Sequence, residues 1–174
     1  MVSPNTELVE YVVNLYKVVS DYIYEALLSI LCVGLTTSVL IKGVKEGIRY
    51  SSVLLLGEYL LLLYSTTVIF RSQRPLRVYE VQPLYSYFHD SANHYLMIDN
   101  ILNVVAFIPV GLLLPICWRR IQWWKILSIG CCLSLSIEVF QYVFMKGNAN
   151  VDDIMHNTLG CLIGYGICKA VIGL

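Results

Sequence analysis

The stretch NILNVVAFIPVGLLLPICW, from Asn100 to Trp118, decides the fold. It carries no charge, and about 20 apolar residues in a helix cross roughly 30 Å of hydrocarbon. It is too long for a strand, and lipid forbids open sheet edges. Working outward, four further runs have a similar length: Tyr22–Ile41, Ser51–Phe70, Trp123–Met145 and Ile154–Leu174. Glu138 interrupts the third of these, and Lys169 lies near the end of the last. The reading is an all-α fold, a polytopic transmembrane helical bundle of about five spans in one membrane domain over residues 1–174. Ahead of the spans, Leu8, Val12, Leu15, Val19 and Tyr22 fall on one helical stripe, with the polar residues elsewhere. Leu8–Asp21 is therefore predicted to be an N-terminal amphipathic interfacial helix. No Lys/Arg-rich segment or small-residue cleavage site accompanies the first span, so a cleaved signal peptide is not expected.

Composition agrees with this reading. Of 174 residues 57% are hydrophobic and 14% charged, with 12 Lys and Arg against 12 Asp and Glu. A soluble domain carries about a quarter charged residues. The balance excludes an ordinary soluble enzyme, a disordered tail and a basic nucleic-acid binder, so no nucleic-acid partner is expected. The partners implied are membrane lipids. Six cysteines (Cys32, Cys117, Cys131, Cys132, Cys161, Cys168) all lie in apolar runs. Their spacing matches neither a disulfide framework nor a zinc site, and they read as small buried hydrophobes.

Short loops orient the chain by their Lys and Arg. Lys42, Lys45 and Arg49 follow the first span, Arg119 and Arg120 follow the third, and Lys169 marks the end of the fifth. This places the N-terminus outside and the C-terminus in the cytoplasm of a bacterial plasma membrane. Arg71, Arg74 and Arg77, after the second span, oppose that assignment. The Arg71–Asp99 loop is long for a bundle. Its prolines and its cluster of Tyr79, Tyr85, Tyr87, Phe88 and Tyr95 suggest packing at the interface.

One inference holds for either orientation. With five spans, the end of the second, the start of the third, the end of the fourth and the start of the fifth share one membrane side. Arg71, then Asp99, Asn100 and Asn103, then Glu138 and Gln141, then Asp152, Asp153, His156 and Asn157 occupy those four ends. At about 1.5 Å per residue, Glu138 lies roughly 10 Å from the end of its span and Asn157 about 6 Å into the next. An ionised carboxylate at that depth costs a few kcal/mol unless it is paired, hydrated or protonated. Each of the pairs Asn100/Asn103, Glu138/Gln141 and Asp153/Asn157 lies on one face of its helix. Gly160 and Gly164 continue the last stripe and permit close helix packing. Taken singly, Asp152 and Asp153 also suit a helix N-terminus, and Asn103 and Asn157 also suit interhelical hydrogen bonds. Glu58 is a second intramembrane acid, towards the other side, equally readable as a packing hydrogen bond.

The same residues carry a resemblance. Asn103-x-x-x-Phe107-x-Pro109-x-Gly111 resembles a signature of VanZ-like membrane proteins, as do Glu138-x-x-Gln141 and Asp152-Asp153-x-x-x-Asn157-Thr158-x-Gly160. Arg71 and Gln82-Pro83-Leu84-Tyr85 resemble a weaker loop motif before them. The VanZ-like region covers about residues 65–168. Relatives often have an Arg and a further Asp where this chain has Gly147 and Asn150. The resemblance implies an envelope membrane protein of the kind associated with low-level teicoplanin resistance.

Two functions follow. In the first, a polar pocket at the outer membrane side binds a lipid-linked headgroup, a cell-wall precursor or a glycopeptide antibiotic. Its ligand-binding residues are Arg71, Asn100, Asn103, Gln141, Asp152 and Asn157. The guanidinium fork of Arg71 suits phosphate or carboxylate, and equally suits anchoring to lipid phosphate. In the second, the protein is a membrane-embedded hydrolase or transferase acting on a lipid-linked envelope substrate. Glu138 is then the general base and Asp153 a second catalytic carboxylate. His156, His89 and His94 complete no recognisable metal-ligand spacing, so no metal and no cofactor are expected. Five spans without a repeat make a transporter the weaker reading.

Overall fold

The computed structural model describes residues 30–32, 34, 35, 37, 39–41, 43–73, 75, 76, 78–84, 87 and 94–172. The expected interfacial helix Leu8–Asp21 and the first part of the first span lie outside them. Arg74, Arg77, Tyr85, Phe88 and His89 do too. The remaining part of that span, within 30–41, is helical where described.

The chain divides into two compact units, Met1–Leu54 and Leu55–Leu174. In the first, Gly43 adopts φ 76°, a left-handed conformation that costs glycine little, and ends the preceding helical residues. Helix α1 then runs Val44–Tyr64. It begins before the apolar run, so Lys45 and Arg49, expected in a loop, are helical. Apolarity marks what hydrocarbon can accept, whereas backbone hydrogen bonding continues into charged turns. Ser51 and Ser52 donate to the carbonyls of Gly47 and Ile48 at 2.8 Å, which satisfies both hydroxyls within the helix.

The second unit contains the end of α1, continued by a π-helical turn Ser65–Ile69, then strand β1 (Val78–Glu80) and helix α2 (His94–Cys117). Helix α3 (Trp123–Phe144), strand β2 (Asn148–Asn150) and helix α4 (Val151–Ile172) follow. The four helical runs expected from Ser51 onward are present as α1 to α4, and a strand pair joins them. β1 and β2 pair in parallel, Val78 against Asn148 and Glu80 against Asn150. Part of the long loop is thus stitched to the α3–α4 turn.

Among the described residues three stretches, Glu46–Ile69, Met97–Cys117 and Trp123–Phe144, are long and apolar enough to cross a membrane, and the protein is an integral membrane protein. Helix α4 has 22 residues, as α3 does, but is not among those stretches. His156, Asn157, Lys169 and its glycines dilute its hydropathy. Its outward stripe is nevertheless apolar, with Met155, Leu159, Ile163 and Ile167 exposed.

Helix α4 packs along α2 with almost no side chain between them. A methyl group on Gly160 would overlap the carbonyl of Val104, one on Gly164 that of Ile108, and one on Gly111 that of Cys161. The numbers rise together, so the two helices are parallel. Against α3 they run oppositely: Ser134 meets Asn157, and Glu138 meets Asn150. Phe107, Val110, Leu114, Ile126, Ile137 and Cys161 form the buried core of the unit. Of the cysteines, Cys117, Cys161 and Cys168 are buried, whereas Cys32 and Cys132 are exposed, contrary to expectation. A small apolar group is as well solvated by lipid tails as by a protein core.

Candidate functional site

The site is built at the junction of β2 and α4. The Asn150 side chain accepts the Asp152 N–H at 2.9 Å, a cap for the first turn of α4. The Asn150 backbone N–H donates to Glu138 Oε2 at 2.8 Å. A carboxylate on the second-last turn of α3 is therefore tied to the entrance of α4. Glu138 is buried, at 5% exposure, and the charges of Asp153 and Arg71 both act on it.

Asp153 is half-buried. It accepts a hydrogen bond from the Asn103 side chain and lies in the field of Arg71, Asp99 and Asp152. Arg71, beyond the π-helical turn, and residues of α2, α3 and α4 thus converge on one acidic cluster.

Arg71 follows the π-helical turn. That turn offers its own carbonyls to partners from α3 and from the segment just after it. Gln141 Nε2 donates to the Thr67 carbonyl at 3.0 Å, and Lys146 Nζ to that of Ile69 at 2.6 Å. A lysine suits this position, because a helix C-terminus carries partial negative charge. Gly147 leaves room beside them. A Cβ there would stand 2.9 Å from Gln141 Oε1 and 3.1 Å from Arg71 Nη1. Gln141 is 3% exposed, and its Oε1 has no hydrogen-bond partner among the described residues. An acceptor left bare beside a guanidinium is where a ligand donor or a water finds a place.

The remaining candidates take the following partners within the chain. Asp152 is fully buried and accepts the backbone N–H of Leu84. Leu84 holds φ 60°, so the carboxylate secures a strained turn at Gln82–Leu84. His156 Nδ1 donates to the Asp152 carbonyl at 2.6 Å, leaving Nε2 to accept from Tyr87 Oη at 2.9 Å. The Tyr87 and His156 rings stack at 5.9 Å. Asn157 Nδ2 donates to buried Ser134 Oγ at 2.7 Å, deeper between α3 and α4 than the cluster, and its Oδ1 is unpartnered among the described residues. Asn100 is buried in the second turn of α2, which begins at His94 rather than at Asn100. Glu58 lies far back on α1, with Oε1 buried and unpartnered among the described residues. Among those residues no cluster of metal-ligating side chains forms.

Four participants are not among the site residues expected from the sequence: Thr67, Ser134, Leu84, which lies in the quoted loop motif, and Asn150, which stands at a departure from the family pattern. Asn150 alone had a signal, since asparagine just before an acidic helical turn is a cap pattern. The others act through backbone groups or a hydroxyl, which no spacing rule marks.

No solved structure matches the chain. It is 31% identical over 125 residues to Protein VanZ of Enterococcus faecium, spanning 65% of this chain and 75% of that protein. The VanZ/LLP1 family model matches residues 54–172, which hold every member of the cluster, and the chain belongs to that family.

Proposed function

We propose that the cluster of Arg71, Asn103, Glu138 and Asp153 is a binding site for the polar headgroup of a lipid-linked cell-wall precursor or of a glycopeptide. The protein then confers low-level tolerance of the teicoplanin type. The observation that carries this reading is convergence: four elements distant in sequence each place a polar or charged side chain at one end of the unit. Buried charges inside an apolar chain are costly, and pairing them around an open acceptor such as Gln141 Oε1 suits ligand capture more than packing. The outward apolar stripe of α4 supports a further span beside the three. With the first span this makes about five, the N-terminus outside, the cluster on the outer face of the bacterial plasma membrane and the C-terminus cytoplasmic. An impermeant thiol label on Asn148→Cys should then react on intact cells; labelling only after lysis would invert the topology.

Glu138→Gln tests the site. The amide still offers an oxygen to the Asn150 N–H, so expression and thermal stability should change little. Tolerance to teicoplanin conferred on a sensitive host should disappear. Undiminished tolerance in a variant expressed at the normal level would exclude the site. A second reading, catalysis, is favoured by one observation: the Glu138 and Asp153 carboxylates, on α3 and α4, both lie in the field of Arg71. In that reading Glu138 is general base in a hydrolysis or transfer. Purified protein should then change the mass of an added lipid-linked precursor, whereas binding without turnover supports the first reading.

A further inference from the structure

A groove of about 390 Å³ opens between α3, the strand pair and the start of α4. Its volume falls in the range of small-ligand sites, about 300–1,000 Å³. Leu135, Val139 and Tyr142 form one wall and Val151 and Ile154 the other, with Glu138 between them. The groove and the acidic cluster therefore share one carboxylate. From Tyr142, near the end of α3, the groove reaches Leu135, about 10 Å deeper at 1.5 Å per residue. Leu135 is midway along a helix long and apolar enough to cross a membrane. That depth is hydrocarbon, beyond the reach of a water-borne partner. Leu135 and Val139 are each 49% exposed there.

We infer that this groove is a lateral port, taking one hydrocarbon chain of a membrane lipid and presenting its headgroup to Glu138. The inference rests on the site proposed above and deepens it, since it makes the ligand a lipid rather than a soluble glycopeptide. The charged residues lining the groove are Glu80 and Glu138, both acids. Glu80 pairs with Asn150 across the strands, and Asn150 donates to Glu138, so the polar end is continuous. Such an end favours a headgroup with ammonium or hydroxyl donors over a bare phosphate. It disfavours an apolar helix from a second copy, which would seal both carboxylates under hydrocarbon.

The test uses the whole chain in lipid nanodiscs containing phosphatidylethanolamine with a diazirine near the end of one acyl chain. After photolysis, adducts should concentrate on Leu135, Val139 and Ile154 over Val143 and Phe144, which are equally exposed on α3 but outside the groove. Val139→Trp fills the groove and should remove that enrichment; Val143→Trp should not. The same acyl chain on phosphatidic acid should enrich less. Adducts spread evenly over these positions, enrichment that survives Val139→Trp, or equal enrichment with phosphatidic acid would overturn the assignment. So would Val139→Cys copies that cross-link to one another through that position. Even labelling with tolerance lost in Glu138→Gln sinks the port and leaves the site standing. Enrichment with tolerance unchanged in Glu138→Gln does the reverse.

Discussion

The two ends of α4 are held by opposite means. In its first two turns Asp152, Asp153, His156 and Asn157 each find a named hydrogen-bond partner on another segment or on the helix itself. Further along, Gly160 and Gly164 approach α2 because they have no side chain, and bare backbone meets bare backbone. The polar end is specific in direction, and single members can change while their neighbours hold. The glycine seam is specific in distance, and it tolerates no added atom.

The seam should therefore break first. Gly164→Leu puts a branched side chain where the Ile108 carbonyl lies. Overpacking a close contact costs about 1–3 kcal/mol where side chains can give way, and here only backbone stands opposite, so the loss should exceed that range. The expected result is little folded monomer on size exclusion and a greatly lowered melting temperature. A Gly164→Leu protein that melts like the parent would show that the helices do not touch there.

At the polar end the losses should be smaller and local. Asp152→Ala removes the acceptor of the Leu84 N–H, and losing such a hydrogen bond costs about 1 kcal/mol. Amide exchange at Leu84 should accelerate while amides of the α2–α4 seam stay protected. Asp152→Asn keeps an oxygen and should restore most of that protection. Equal acceleration along the whole of α4 would instead merge the two ends into one cooperative unit, and the contrast between them would fail.

Particular residues show what could be read beforehand. The long apolar runs foretold α2 and α3, because hydrocarbon imposes length and composition directly. The spacing of Glu138, Gln141, Asp153 and Asn103 placed them at one end of the molecule, because helical period and span count determine faces and ends. Which partner each would take was not legible. Asp152 reads as a polar residue at a helix start, and its carboxylate accepts the Leu84 N–H; Asn157 reads as a neighbour of Asp153, and its amide bonds Ser134 deeper between α3 and α4. Those pairings depend on where the Gln82–Leu84 turn and the β1–β2 register bring backbone N–H groups. A three-residue strand such as Val78–Glu80 has no periodicity to betray it. The small-residue stripe Gly160/Gly164 announced close packing but not against which helix, since glycine carries no chemistry that names a partner.

The smallest predicted effect is the most discriminating. Gly166 lies two residues beyond Gly164 on the same helix, yet a Cβ there would meet nothing within 4 Å. Glycine in a helix interior costs about 1 kcal/mol relative to alanine through backbone entropy alone. Gly166→Ala should therefore leave the melting temperature unchanged or raise it slightly, while Gly164→Ala lowers it. The two substitutions share composition, helix and depth to within a turn, and differ in the face they occupy. If both lower stability equally, α4 needs glycine for flexibility rather than for contact, and the seam loses its meaning. If only Gly164→Ala does, the stripe is a fitted surface, and the distance it sets between α2 and α4 is what brings Asn103 within reach of Asp153.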